Sequence, residues 1–436
     1  MEGSENNKSQ ISHTPLILAL ALLIATVGIL WKMGGDDKMP APQPSTTDKA
    51  AAVSKNADET REKSTEPVTD STDSKAEDEL LGVWVPYMSL SVDPSQENFK
   101  NNFDNIVTTA KEHKMKALIV HVRPFGDSMY LSDYFPYSHI LTGTQGQDPG
   151  FDAMEYMLSK THEEGLEFHA WINPLRIKVN DTPRELSQYS PYTIWQDDGD
   201  EENDRYTMEY EGGIYLNPAY PEVRQYIISS IEELLSRYEV DGIQFDDYFY
   251  PDASLEYDST EYEAYKSLLS DGQEAMNQLE WRRNNINSLI SGVYSCIKAQ
   301  SSDTVFGISP QGNIENNLDI GADVYSWGSV SGYCDYLCPQ IYFSEGNEAL
   351  SYSECADDWK ELVTNEDVKL YIGLGLYKAG SDEDEGSWLD SDENMKSQIE
   401  YGRKLGADGF MFYSYDYLVN EQTEEEVENV MNYLGS

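Results

Sequence analysis

The sequence predicts an α/β fold, a closed (β/α)8 barrel of the TIM type, over residues 80–436. Eight short runs rich in β-branched and aromatic residues alternate with eight amphipathic segments of helical period. In addition, the longest connections all follow a strand, whereas the links from a helix to the next strand are short. An open doubly wound sheet is the alternative, but it normally carries a phosphate-binding glycine turn after its first strand, which this chain lacks.

The predicted strands and helices alternate regularly along the chain. The strand candidates are GVWVPY from Gly82, ALIVHV from Ala117, LEFHAWI from Leu166, GIQFDD from Gly242, VFGISP from Val305, YLCPQIY from Tyr336, LYIGLGL from Leu370 and GFMFYSY from Gly409. The helix candidates lie near residues 97–113, 151–164, 221–238, 281–300, 318–330, 351–364, 393–405 and 423–434. The long connections, residues 123–150, 174–220, 248–280 and 377–394, follow strands two, three, four and seven. Loops in these positions form the active-site face of a barrel enzyme.

The amino-terminal region differs in composition from the barrel. After a polar tail at residues 1–14, residues 15–31 read PLILALALLIATVGILW without a charge, which predicts a transmembrane helix acting as a signal anchor. Residues 32–79 contain almost no large apolar side chain, which predicts a flexible linker. We therefore expect a single-pass protein of the cell membrane with an extracytoplasmic catalytic domain. Cleavage of the segment as a signal peptide is the alternative, and the protein would then be secreted.

The composition excludes several classes of function. The formal net charge of −49 makes nucleic acid an unfavourable partner. The sequence contains no Walker loop, dinucleotide fingerprint or nucleophile elbow, so we expect no cofactor. The four cysteines are too few for a disulfide scaffold and lack the second pair that a zinc site would need.

The strongest candidate for chemistry is DGIQFDDYFYP, in the fourth strand. Gln244 and Asp246 share one face of this strand, and Asp246 stands at its carboxyl end, so it is expected to point into the barrel mouth. Cleavage of a glycosidic bond passes through an oxocarbenium-like state, which an anionic Asp246 would stabilise. Asp247 is expected to point away unless the strand has already ended. A helix cap or a loop salt bridge is the alternative for this pair.

Candidates for substrate binding follow from the same alternation in strands two to four. They are His121 and Arg123 at the end of strand two, His169, Trp171 and Asn173 along strand three, Arg176 just beyond it, and Gln244 on strand four. His169 could equally be a buried histidine with satisfied hydrogen bonds. A metal site built on His121, His169 and Asp246 is not expected, because barrels of that kind usually begin with a His-x-His pair in the first strand.

The sixth strand supplies the last candidates. Gln340 and Tyr342 alternate inward and are predicted to bind substrate, and Glu345 lies just past the strand. Strand five has no carboxylate at its tip, so Glu345 is the preferred general acid, with Asp247 as the second choice. A solvated loop glutamate is the alternative for Glu345.

Nine stretches of the chain together resemble the glycosyl hydrolase-like 10 family of bacteria. They are GVWVPY, HVRPFGDSMYLSDYFPYSHILTG, HAWINPLR, YLNPAYPEVRQYI, VDGIQFDDYFYP, WRRNNIN, FGISPQG, DYLCPQIYF and GFMFYSY, and they run from Gly82 to about Leu418. The resemblance implies a TIM-like barrel and a glycosidase, with some relatives linked to cell-wall glycan strands. By its motifs, the resemblance also implies functional roles for Asp246, Asp247, His169, Asn173 and Arg176.

Two departures from the family concern substrate contacts. Gln244 stands where the family usually has histidine, and the fifth-strand motif continues with GNIENN from Gly312 where a tryptophan and an arginine are common. The predicted function is hydrolysis of glycosidic bonds in a cell-envelope polysaccharide, namely the glycan strands of peptidoglycan, by carboxylate chemistry. The alternative is a catalytically silent barrel that binds glycan through Trp171 and the loop tyrosines.

The amino-terminal prediction can be tested by fractionation. Because residues 15–31 are uncharged and apolar, the full-length chain should sediment with membranes, and a fragment from Leu80 onward should be soluble and folded. Full-length protein in the soluble fraction would contradict the anchor. A mature amino terminus within residues 32–79 would show cleavage instead.

Overall fold

The computed structural model describes residues 79–435. Its strands are, in chain order, β1 (Leu80–Val85), β2 (Ala117–Arg123), β3 (Glu167–Ile172), β4 (Arg176–Lys178), β5 (Thr207–Tyr210), β6 (Gly213–Leu216), β7 (Gly242–Phe245), β8 (Val305–Ile308), β9 (Tyr336–Leu337), β10 (Lys369–Leu374) and β11 (Gly409–Phe412). All except β4–β6 pair in parallel, and β1 closes the ring by pairing with both β2 and β11. The prediction of a closed eight-stranded barrel is confirmed.

Helices follow the barrel strands and cover the outside of the sheet. They are Gln96–Glu112, Ala153–Glu163, Pro221–Arg237, Gln278–Gln300, Ile314–Asp319, Val324–Ser329, Tyr352–Leu362, Asn394–Leu405 and Glu424–Leu434. Side-chain caps start several of them: Asn277 and Ser351 each form a capping box with a glutamate three residues later. The single helix predicted over 318–330 is two short helices, because Gly321 adopts a left-handed φ of 84° between them and Asp323 caps the second.

The main hydrophobic core lies between the barrel and its helices. Val83, Leu118, Phe168, Ile243 and Phe306 point outward from five different strands and are fully buried. Helix residues such as Phe103, Met157 and Ile290 belong to the same buried cluster. The helix-facing side of each strand is therefore apolar. The positions that face the barrel interior do not contribute to this core, so they can carry polar side chains.

The connections after the third and fourth barrel strands contain structure that the sequence did not predict. After β3, the strands β4, β5 and β6 form a separate antiparallel sheet, which the helix Pro191–Asp197 accompanies. After β7, the helix Ser259–Ser267 follows. The two insertions contact each other, because Arg205 forms an ion pair with Glu261 and the rings of Tyr210 and Tyr257 lie 4.9 Å apart. The two insertions are therefore packed against each other.

The predicted tail (residues 1–14), membrane segment (15–31) and most of the linker (32–79) lie outside the described residues. Within residues 79–435, no helix combines the length and apolarity needed to cross a bilayer. At the start of the described chain, Glu79 forms a bidentate ion pair with Arg403, with both N–O distances 2.8 Å. This pair attaches the beginning of β1 to the helix Asn394–Leu405.

Large rings fill the barrel interior, and glycines on neighbouring strands leave room for them. A Cβ atom on Gly307 would lie 1.9 Å from Cζ of Tyr336, which is fully buried. We therefore expect Gly307→Ala to lower the free energy of unfolding by about 1–3 kcal/mol through overpacking. Urea unfolding of the variant measures this loss. In a Tyr336→Leu background the same substitution should cost clearly less, and equal costs in both backgrounds would contradict the steric explanation.

Candidate active site

Asp246 lies at the mouth of the barrel, directly after β7 ends at Phe245. Its side chain points inward, as the alternation of the strand predicts, and its exposed fraction is only 3%. The indole Nε1 of Trp171 donates to Oδ2 at 3.0 Å, and Nδ2 of Asn173 donates to both carboxyl oxygens at 3.1 and 3.2 Å. Both donors come from the end of β3, the neighbouring strand. Trp171 and Asn173, both predicted site residues, therefore fix the position of Asp246.

Asp247 belongs to the same site. Since β7 ends at Phe245, strand alternation does not turn Asp247 away from the mouth. Its Oδ1 accepts a hydrogen bond of 3.1 Å from Nε2 of Gln340, which lies just after β9 and also donates to the carbonyl of Ser309. The side chain of Gln311 is a second donor to Asp247. Gln340, predicted to bind substrate, therefore lies beside the carboxyl pair and binds its second member.

Burial controls the ionisation of both carboxyls. Loss of hydration raises the pKa of Asp246 to about 7, and the charge of Asp247 adds to this rise. Arg176 and the hydrogen bonds from Trp171 and Asn173 oppose it. Burial also raises the pKa of Asp247. Because two adjacent buried carboxyls resist carrying two charges, burial favours the singly protonated form of the pair to a higher pH than for free carboxyls.

Arg176 brings a positive charge to the rim of the mouth. Its backbone N–H donates to Oδ1 of Asn173 at 2.8 Å, and its Nε donates to the carbonyl of Pro124 at 2.9 Å. Its guanidinium lies 5.0 Å from the ring centre of Phe125 and 4.9 Å from that of Tyr248. The Tyr248 ring is 52% exposed, so it offers an open aromatic face next to the carboxyl pair.

Three tyrosines form the opposite side of the mouth. The rings of Tyr342 and Tyr413 stack with their centres 5.7 Å apart, and Tyr377 meets both of them edge-on. Burial raises the pKa values of Tyr342 and Tyr413, and the charges of Asp247 and Asp246 respectively add to the rise. Tyr342 was predicted. Tyr413 was missed, although its position directly after the strand GFMF was an available signal.

His121 pairs with Trp171 on the neighbouring strand and is almost fully buried. The two rings stack with centres 3.7 Å apart and an interplanar angle of 10°. Burial, with the nearby charge of Arg176, lowers the pKa of His121 well below 6.5, so the imidazole is neutral. Neither of its ring nitrogens has a hydrogen-bond partner among the described residues. His121 therefore supports the indole that holds Asp246.

The prediction that Arg123 shares a face with His121 is wrong. The pairing of β2 with β3 shifts between these residues, so that His121 pairs with Trp171 and Arg123 pairs with the next residue, Ile172. This irregularity turns Arg123 outward, where its Nη1 donates to Oγ of Ser230 in the helix Pro221–Arg237 at 2.7 Å. Arg123 is a buried contact between barrel and helix and does not line the mouth.

The prediction that His169 lies at the mouth with Asp246 is also wrong. His169 pairs with Gly242, four residues before Asp246 along β7, which places it roughly 13 Å lower at 3.3 Å per residue. Its Nε2 lies 3.2 Å from Oε2 of Glu167, at the first residue of β3, and its Nδ1 lies 3.2 Å from the hydroxyl of Tyr336. His169 is thus the buried histidine with hydrogen-bond partners that the sequence left as the alternative.

Gln244 is likewise inside the barrel and fully buried. Its Oε1 accepts from Nε1 of Trp84 at 2.6 Å, and its Nε2 donates to the hydroxyl of Tyr336 at 3.1 Å. Both ends of the amide are therefore occupied by the barrel itself. Predicted as a substrate ligand, Gln244 instead joins the interior hydrogen bonds one layer below Asp246.

Glu345 is not brought to the carboxyl pair. It is exposed, and its Oε2 accepts a hydrogen bond of 2.8 Å from Oγ of Ser353, in the first turn of the helix Tyr352–Leu362. Its charge affects Tyr352 and Tyr401, both in the outer layer of helices. The solvated position that the sequence left as the alternative is the one observed. No cluster of three or more potential metal ligands occurs in the described part of the chain.

Comparison with known proteins agrees with this architecture. A family model described as glycosyl hydrolase-like 10 matches residues 79–390. The chain belongs to this family. Membership confirms the predicted family and the predicted enzyme class, a glycoside hydrolase. The matched residues include β7 and the two aspartates that follow it, Asp246 and Asp247.

Curated relatives match over most of this chain. Glycosyl hydrolase YngK of Bacillus subtilis is 35% identical over 354 residues, which are 75% of this chain and 66% of YngK. Glycosyl hydrolase DigH of Escherichia coli O6:H1 is 31% identical over 343 residues, which are 74% of this chain and 77% of DigH. The chain thus spans about two thirds of YngK and about three quarters of DigH.

Solved structures share the barrel fold at low sequence identity. The glycoside hydrolase domain of PgaB from Bordetella bronchiseptica has a TM-score of 0.53 and 14% identity, and the match covers 81% of this chain and 99% of that domain. A β-galactosidase from Marinomonas ef1 has a TM-score of 0.52 and 9% identity over 81% of this chain and 59% of that protein. These two likenesses concern the fold alone.

The raised pKa of Asp246 can be tested through stability. Its folded value of about 7 exceeds the unfolded value of about 4, so ionisation of the parent destabilises the fold as pH rises from 4 through 7. Asp246→Asn removes this penalty. The free energy of unfolding of the variant relative to the parent should therefore rise by about 2–4 kcal/mol between pH 4 and pH 8.

Urea unfolding at the two pH values gives this difference, and any cost of the new amide that is independent of pH cancels. Asp271→Asn, at an exposed position, is the control and should show no comparable change. A relative stability of Asp246→Asn that is equal at pH 4 and pH 8 would contradict the burial argument.

Proposed function

We propose that this protein hydrolyses glycosidic bonds in a cell-envelope polysaccharide, with the glycan strands of peptidoglycan as its substrate. The observation that carries the proposal is the carboxyl pair at the barrel mouth. Asp246 and Asp247 follow one strand, both have raised pKa values, and amide and indole donors fix their positions. A glycosidase needs one protonated carboxyl and one carboxylate at the scissile bond, and the deeper burial of Asp246 beside Asp247 supports that division of roles.

The burial of the two residues assigns their roles. Asp246, with a pKa of about 7, is the proton donor to the leaving glycosidic oxygen. Asp247 is less buried and accepts hydrogen bonds from two glutamine side chains, so it is the carboxylate that stabilises the positive charge developing on the sugar. The sequence analysis assigned the anionic role to Asp246. Its deep burial favours the opposite assignment, with Asp246 as the acid and Asp247 as the carboxylate.

Aromatic rings at the rim provide contacts for sugar rings. Trp171, the platform expected from sequence, is only 7% exposed, and His121 stacks on its ring. Tyr248 is far more exposed and stands beside Arg176, so it is the better platform. Asn173 is engaged with Asp246 and acts by holding that carboxyl in position.

The choice of peptidoglycan follows from the predicted placement of the enzyme. An apolar segment at residues 15–31 and a polar linker at residues 32–79 would hold the barrel on the outer side of the membrane, within reach of the wall. A net charge of −49 makes nucleic acid and anionic lipid unfavourable partners.

Turnover and affinity measured on one variant test the proposal. Asp246→Asn keeps the shape of the side chain but cannot donate the carboxylic proton, so turnover of purified glycan strands should fall roughly 10²–10³-fold. Binding of the strands should change little, because stacking on Tyr248 does not need that group. Release of products is measured by mass spectrometry, and affinity by equilibrium binding.

Glu345→Gln is the matched control, because Glu345 stands outside the mouth and its loss should leave turnover unchanged. Full turnover by Asp246→Asn would overturn the assignment of the carboxyl pair. Tight binding of glycan strands by a parent protein that shows no turnover would instead favour the silent glycan-binding barrel.

A further inference from the structure

The wall of the mouth that faces the carboxyl pair carries tyrosines. In the ring of eight strands, β11 lies four places from β7 in either direction, so it stands across the barrel from β7. The first residue past β11 is Tyr413, and Tyr87 and Tyr377 lie just past the two neighbours of β11, which are β1 and β10. All three tyrosines are partly buried. In the described chain, therefore, no carboxyl stands directly at the ends of the three strands opposite the pair.

Acidic side chains farther along these facing loops have other partners. Asp384, in the connection after β10, accepts hydrogen bonds from the backbone N–H of Ser344 at 2.9 Å and from Nε1 of Trp388 at 3.1 Å. Asp416, after β11, is exposed and accepts a hydrogen bond of 2.5 Å from Oγ of Ser89. Both carboxylates are thus attached to neighbouring loops, so their positions are set by those loops and not by the carboxyl pair.

The two carboxyls of the pair spread along a single wall of the mouth. Asp246 accepts hydrogen bonds from Trp171 and Asn173 on the β3 side of β7, whereas Asp247 accepts one from Gln340, which follows β9 on the other side. In the usual mechanisms, a carboxylate nucleophile, or a base that activates water, acts on the anomeric carbon from the face opposite the leaving group. Two consecutive residues on one wall do not flank a sugar in this way.

A sugar with a 2-acetamido group carries a nucleophile of its own. The carbonyl oxygen of that group closes a five-membered ring on the anomeric carbon, as in substrate-assisted glycosidases. The enzyme then supplies a proton donor and, beside it, a carboxylate that accepts the amide N–H and balances the positive charge of the new ring. Asp247 suits this second role because it is only partly buried. Burial raises its pKa, but Gln340, Arg176 and Gln311 oppose the rise and favour the carboxylate.

We propose that cleavage is assisted by the substrate, so that the sugar attacked at its anomeric carbon is a 2-acetamido sugar. Its acetamido oxygen bonds to the anomeric carbon as the glycosidic C–O bond breaks, and the carboxyl proton of Asp246 goes to the leaving oxygen. Asp247 holds the N–H of the resulting oxazolinium ion. Water then adds to the anomeric carbon, its proton returns to Asp246, and the ring opens to restore the acetamido group. This inference rests on the proposed function and deepens it by naming the nucleophile and the substrate class.

Graded weakening of the acetamido nucleophile tests the proposal on the full-length parent protein. Purified glycan strands are N-deacetylated chemically, and separate portions are acylated with acetyl, fluoroacetyl, difluoroacetyl or trifluoroacetyl groups. Fluorine withdraws electrons from the carbonyl oxygen and changes the shape of the group little. The kcat should therefore fall at each step, by about 10²-fold or more in total, whereas the Kd of the strands should change little. Because two displacements occur in succession, NMR spectroscopy of fresh products should show the anomeric configuration of the cleaved bond retained.

The acetylated portion, compared with untreated strands, is the control for the chemical treatment. Equal kcat with all the acyl groups, or inversion at the anomeric carbon, would overturn the substrate-assisted step and leave the proposed hydrolysis intact. No turnover of untreated strands by the parent would refute both proposals. Asp416→Asn removes the charge of an exposed carboxylate on the facing side and should leave turnover unchanged. Lost turnover in this variant, with an unchanged free energy of unfolding, would place a catalytic carboxyl across the mouth and would also refute substrate assistance.

Discussion

The site depends on the burial of one carboxyl, Asp246, at the point where β7 ends. A carboxylate removed from water is costly, and here Trp171 and Asn173 compensate only in part, since the pKa still rises to about 7. Each surrounding feature serves this arrangement. His121 stacks on the indole, Arg176 holds the amide of Asn173 through its backbone, and Gln340 fixes the second carboxyl. In the proposed hydrolysis, a proton held by this pair is transferred to the leaving glycosidic oxygen.

The layers beneath the mouth make this arrangement rigid. Gln244 bonds Trp84 and Tyr336, and Tyr336 is in turn in contact with His169. These side chains fill the barrel below Asp246, and the glycines opposite them allow the rings to fit. The barrel interior beneath the carboxyl pair is therefore a packed core. The two insertions that follow β3 and β7 pack against each other on the side of the barrel where these strands end.

Strand alternation was enough to predict much of this from the sequence. It placed Asp246, Trp171 and Gln244 inside the barrel, and the eight repeats predicted its closure. Strand alternation could not predict how deep in the barrel each inward side chain lies. The layer that His169 occupies, for example, depends on the stagger between neighbouring strands. Nor could it predict the shift of pairing that turns Arg123 outward, or the early end of β7 that brings Asp247 to the mouth. The bond from Gln340 to Asp247 joins strands that are remote in sequence, so no local pattern carries it.

The dependence of kcat/KM on pH for hydrolysis of glycan strands measures the ionisation of the free enzyme. If Asp246 is the proton donor, kcat/KM is highest where its carboxyl is protonated and falls as pH rises through about 7. A value of kcat/KM that instead increases through pH 7, or that stays constant from pH 6 to pH 8, would contradict the role of Asp246 as a buried acid.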